Sequence, residues 1–178
     1  MDTGSAFLAQ SREYLTAHYL PKIRAAIDGL SEADLWWRPN PASNSIGNLL
    51  LHLAGNLRQW IVTGVGGAPD QRNRAAEFGR TEPLPLRELL TAVTEAVLDA
   101  DAVLARVDPA SLGDRRTVQG REVSGLEAIY HAVEHFGMHT GQILYAVKLR
   151  TGEDLAFYRL EEGVLRAAWP GHPTKGSA

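Results

Sequence analysis

The 178-residue chain has no cysteine. That absence excludes disulfides, zinc–thiolate sites and a cysteine nucleophile, and it leaves a metal only nitrogen and oxygen ligands. Long apolar runs are missing as well, and no stretch approaches membrane-spanning length. The opening MDTGSAFLAQSREYLTAHYL has no basic region ahead of an apolar run, so no signal peptide is expected and a cytoplasmic location is the default. A net charge of −3 offers no global attraction to nucleic acid or to an anionic membrane, and neither is expected as a partner. Glycine-rich phosphate fingerprints, internal repeats and low-complexity segments are also absent.

What remains is an ordinary globular composition, 44% hydrophobic and 22% charged, at a length that suits one domain with a sizeable core. Four segments carry helical periodicity. The first runs from about Ser5 to Gly29, with Pro21 expected to kink or split it. A connector containing Trp36 and Trp37 follows, and these two rings are expected to plug the end of a core. The second helix starts near Asn44 or Ser45 and ends at the glycines Gly64, Gly66 and Gly67. A long charged loop, GGAPDQRNRAAEFGRTEP, separates it from the third, and Arg72 and Arg74 are expected to be solvated there. The third helix extends from about Pro85 or Leu86 to Val107, with Asp99 and Asp101 facing water. A small hairpin about Gln119-Gly120 precedes the fourth, which the capping box at Ser124 starts and Gly152 stops. With almost no other strand signal, the pattern predicts an all-α four-helix bundle with one long crossover loop between helices two and three. The domain is expected to span 1–168, with 169–178 a loosely ordered tail and His172 within it.

Helix four holds the unusual stretch, HAVEHFGMHTGQ. His131, His135 and His139 are spaced by four, which places them on one stripe that advances only about 40° per step. A second apolar face carries Ile129, Val133, Phe136, Ile143, Leu144 and Val147. Only a narrow sector with Glu127, Glu134, Gly141 and Lys148 looks fit for water, so burial on two sides is expected. Imidazoles one turn apart, about 6 Å in rise, converge on one ion, whereas His131 and His139, about 12 Å apart, do not. One adjacent pair is therefore a candidate ligand pair, and another segment must supply the third. His52, in the apolar run LLLHLAG of helix two, is the first choice for it. A cluster of structural histidines without metal is the plainer alternative.

SNSIGNLLLHLAGNLRQW and HAVEHFGMHTGQILYAVKLRTG together resemble the DinB-like superfamily of bacterial four-helix proteins. That superfamily includes thiol-dependent S-transferases and a mycothiol-dependent maleylpyruvate isomerase. The resemblance implies a divalent metal, nickel or zinc being typical, held by three histidines that correspond to His52, His135 and His139. It also makes His131 a neighbour of the site, and Glu134 or Gln142 its outer partners. The activity it implies is metal-assisted attack of a low-molecular-weight thiol on a small electrophile, and it favours a homodimer. A non-enzymatic metal-binding or stress-related interaction protein is the alternative. A further one is a metal-dependent hydrolase, because His131-Ala-Val-Glu134-His135 matches the H-x-x-E-H peptidase pattern.

Overall fold

Pro21 shapes the first helical rod. The computed structural model describes residues 2–170, and in it Thr3–Glu13 (α1) starts from Asp2, whose carboxylate accepts the Ser5 N–H at 3.0 Å. A π-helical turn, Tyr14–Tyr19, leads directly into Leu20–Ile27 (α2). Pro21 has no N–H to give to Ala17, four residues back, and the rod widens into the π turn instead of splitting. The Ala17 carbonyl accepts instead from Trp169 Nε1–H at 2.9 Å. Trp169 is buried and its ring also packs on His18. The segment expected to be loose from 169 thus begins with an anchored side chain. Positions 171–178, and with them His172, lie outside the described residues.

Glu32–Leu35 (α3) is one helical turn that brings Leu35 into the core. Trp36 packs against that core and donates Nε1–H to the Leu84 carbonyl at 3.2 Å, as a plug should, while Trp37 lies under Arg150. Ser45 caps Ile46–Leu57 (α4) in a capping box with Asn48, and a π turn, Arg58–Thr63, extends it. The long connection that follows is not wholly irregular, since Arg74–Gly79 (α5) forms a short helix capped by Asn73. Leu86–Leu104 (α6) stops short of the expected Val107. Asp99 is exposed as expected, but Asp101 is not free, because the Arg12 guanidinium grips it at 2.7 and 3.1 Å.

Arg115–Val118 (β1) and Arg121–Ser124 (β2) form the expected hairpin, with Gln119 and Gly120 both at positive φ in the turn. Ser124 and Glu127 make the capping box that starts Gly125–Thr151 (α7), and Gly152, at φ 73°, ends it in the left-handed conformation. A second hairpin, Tyr158–Glu161 (β3) with Val164–Ala167 (β4), was not expected. Tyr158, Leu160, Val164 and Leu165 are all exposed, so its strands lack the one-sided burial that marks a strand in sequence.

The chain is mostly helical. Four long rods contribute to one contiguous core: Leu15, Ile23 and Ile27 from the first; Leu50, Leu53 and Ile61 from the second; Leu89, Val93 and Val97 from α6; Ile129, Phe136 and Ile143 from α7. Each such side chain contributes about 1.5–3 kcal/mol by leaving water. Among the described residues no helix is long and apolar enough to cross a membrane. α7 departs from expectation in one respect. It is buried on one face, not two, and its outer face is wide, exposing Leu126, Tyr130, Met138, Tyr145 and Leu149 beside Glu134 and Lys148.

Candidate metal centre

Helix α7 carries the histidine stripe at the edge of its buried face. His139 is buried, while His131 and His135 are half-buried. α4 crosses this edge, and its buried His52 meets the stripe near the later pair. His52 Nε2 stands 3.0 Å from His135 Nε2, which in turn is 3.2 Å from His139 Nε2. One ligating nitrogen from each ring lies within 4.8 Å of the others, and these three residues form a group that could hold a metal ion. Three nitrogens bound at 2.0–2.1 Å around a tetrahedral ion would stand about 3.3 Å apart, close to the two spacings here.

The outer edges of the rings fix which nitrogen faces inward. His52 Nδ1 lies 2.8 Å from Glu77 Oε2, which only accepts, and 3.1 Å from Arg72 Nη2, which only donates; the shorter contact, to the anion, assigns the proton to Nδ1 and the lone pair to Nε2. Gln142 Oε1, 2.7 Å from His139 Nδ1, assigns the same tautomer there. Two lone pairs therefore face His135 Nε2. A neutral His135 protonated at Nε2 could satisfy only one of them. A cation satisfies all three. His135 Nδ1 is buried with no hydrogen-bond partner, and so are Asn56 Oδ1 on α4 and Trp60 Nε1 on the π turn that extends it.

Electrostatics favour the ligating form. Burial, then the positive charge that His139, His52, His131 and Arg72 would bear against it, lowers the His135 pKa to about 3. Burial likewise lowers His139, opposed by its bond to Gln142. Both shifts favour the neutral ring that ligation requires.

Glu77 and Arg72 belong to the same cluster, although the charged loop was expected to be solvated. The Arg72 side chain is only 3% exposed and forks onto Glu77, Nε to Oε1 at 2.7 Å and Nη2 to Oε2 at 2.8 Å. Burial pushes the Glu77 pKa up, but the bonds from Arg72 and His52 outweigh it and hold the carboxyl below its ordinary value. On the far side of this pair a cavity of about 580 Å³ opens, lined by Leu51, Val62, Leu84, Arg58, Arg80 and Asp99. Arg74, by contrast, is exposed and lies over the Phe78 ring. The sequence does contain a faint signal for the hidden pair: Gly55 follows His52 by three on the same helix face, leaving room beside the ring for another segment.

His131 does not join the triad. Its ring packs on Trp60 with centroids 4.0 Å apart, and burial lowers its pKa. Glu134 is exposed, so of the two expected outer partners only Gln142 touches a ring of the triad. The H-x-x-E-H arrangement needs His131 and His135 on one ion with Glu134 over it, and the structure gathers His52 and His139 about His135 instead.

A family model of the DinB superfamily matches residues 15–143, a span that contains all three converging histidines. A crystal structure of a DinB-like protein from Bacillus subtilis superposes with a TM-score of 0.61 at 20% identity, covering 82% of this chain and 93% of that one. A conserved protein of Enterococcus faecalis superposes with the same TM-score at 17% identity, covering 86% and 99% respectively. No curated protein matches the chain. At these identities the two structures share its fold. From the first rod to the histidine helix, the chain belongs to the DinB superfamily.

Proposed function

We propose that His52, His135 and His139 hold one divalent metal, nickel or zinc, and that the site serves transfer of a low-molecular-weight thiol to a small electrophile. The observation that carries the metal is the convergence of three Nε2 atoms, two of which are held as lone pairs by Glu77 and Gln142. When bound, the ion would supply Lewis acidity at a fourth, open position and lower the pKa of a thiol there. The chain's own part is to bind and orient. α7 supplies a preformed i, i+4 pair, α4 supplies the third ring, and burial keeps His135 and His139 unprotonated. The absence of cysteine is consistent with an external thiol as nucleophile. The apolar residues exposed on α7, Tyr130, Met138, Tyr145 and Leu149, support a homodimer as the working unit.

The test is metal content by mass spectrometry on tag-free protein, beside His52→Ala, His135→Ala and His139→Ala. About one equivalent of metal in the parent, as expected of one site with three protein ligands, should be lost in each variant. Thiol consumption would then be screened against small electrophiles with the loaded protein. Metal binding without turnover for any thiol would leave a metal-binding protein that is not a transferase. No metal after reconstitution, with folding intact, would sink the reading.

A further inference from the structure

One stripe of α4 and the π turn that extends it does more than carry His52. Asn48, His52, Gly55 and Gln59 recur at i, i+4, i+7 and i+11, and each receives part of the crossover segment 70–80. Buried Asn48 donates Nδ2–H to the Glu77 carbonyl at 2.9 Å and to the Arg80 carbonyl at 3.3 Å. Gln59 accepts from Arg72 Nη1 at 2.9 Å and donates to Asp70 Oδ2 at 2.7 Å. Between these anchors Gly55 leaves the space that the Glu77 carboxylate fills. A methyl group there would stand 2.9 Å from Glu77 Cδ and closer still to Oε1.

We propose that Glu77 is a positioning residue, and that its carboxylate, seated on Gly55 and backed by Arg72, locks His52 in the Nδ1–H tautomer with Nε2 turned on His135 and His139. The inference rests on the metal reading for its purpose, but the tautomer belongs to the chain alone. Arg72 has a defined part. Its fork occupies both carboxylate oxygens, and Oε2 accepts from Arg72 Nη2 at 2.8 Å and from His52 Nδ1 at 2.8 Å, lying between two donors whose nitrogens are 3.1 Å apart. The bidentate fork of Arg72 pairs with Glu77 as a carboxylate, which can only accept from His52 Nδ1–H and so makes Nε2 a stronger donor toward a metal. A pair present only for stability would be complete with the two Arg72 bonds and would have no need to meet an imidazole.

The test uses Gly55→Ala and Glu77→Gln in the full chain, with Glu95→Gln, an exposed α6 carboxylate facing Arg58, as control. The first readout is the imidazole tautomer of His52 in metal-free protein, from long-range ¹H–¹⁵N correlations. The parent and the control should show Nδ1–H; both variants should show loss of that single tautomer. The second readout is zinc affinity by chelator competition, expected to fall about 10–100-fold in both variants, as for other outer-sphere partners. Thermal melts of metal-free protein check folding, and the near-isosteric Glu77→Gln retains both readouts should Gly55→Ala not fold. An unchanged His52 tautomer and unchanged zinc affinity in a folded variant would overturn the proposal. A parent that binds no zinc would sink the metal reading alone, because the tautomer measurement still decides this one.

Discussion

The two ends of the histidine stripe have the same local geometry and opposite fates. His131 and His135 are one turn apart on α7, and so are His135 and His139. Yet His139 joins His52 around His135, whereas His131 lies on an indole. The difference comes from the second rod, which runs antiparallel and presents His52 of α4 to one end of the stripe and Trp60 of the following π turn to the other. Gln142, three residues beyond His139, then fixes that ring's tautomer from the same helix. His131 has an aromatic neighbour in place of a lone-pair partner. Helical spacing makes two candidate pairs, and the crossing helix selects one.

Substitutions that treat the two ends differently test this comparison. The largest contrast is His139→Ala against His131→Ala. The first should abolish metal binding by mass spectrometry, and the second should leave it unchanged; loss in His131→Ala with metal retained in His139→Ala would return the H-x-x-E-H reading. Removal of the outer partner should matter less. Gln142→Ala should weaken zinc binding about tenfold by chelator competition, because Nδ1–H of His139 loses its acceptor and the ring its fixed orientation. At the other end the effect should be on stability. Loss of the aromatic contact in His131→Ala should cost about 1 kcal/mol in denaturant unfolding, and His131→Phe, which keeps a ring on Trp60, should recover most of it. The smallest effect should be that of Glu134→Gln, on the exposed flank between the two pairs. Stability within about 0.5 kcal/mol of the parent and undiminished metal content are expected. A collapse of metal-dependent turnover in that variant would give Glu134 a role its exposure does not suggest.

A similar contrast holds between the two segments that sequence patterns treat as irregular. The tail beyond α7 contains an exposed hairpin and then Trp169, which supplies the N–H that Pro21 cannot give to Ala17. Trp169→Phe should therefore cost about 1 kcal/mol, the net worth of one buried hydrogen bond. The crossover loop contains α5 and the Arg72–Glu77 pair, whose charges in sequence look like those of any solvated loop. In the fold they are among the most buried ionic groups of the molecule. Polar composition marks a segment as a loop but does not say whether its charges meet water or each other.

The sequence by itself determined the helical class, the boundaries set by Ser124 and Gly152, the start of the second helix to within one residue, and the placement of His135 and His139 one turn apart. These follow from short-range rules, in which caps, glycine conformations and a 3.6-residue period act within a few residues of one another. It also singled out His52, because a histidine inside an apolar run needs a partner. Only the tertiary structure decided that His52 meets the later pair, that His131 rests on Trp60, and that Glu77 reaches His52 across the space at Gly55. It likewise decided that α7 buries one face, not two. Each of those outcomes depends on how rods that are distant in sequence cross, and a crossing is set by the sum of many apolar contacts rather than by any residue's own preference.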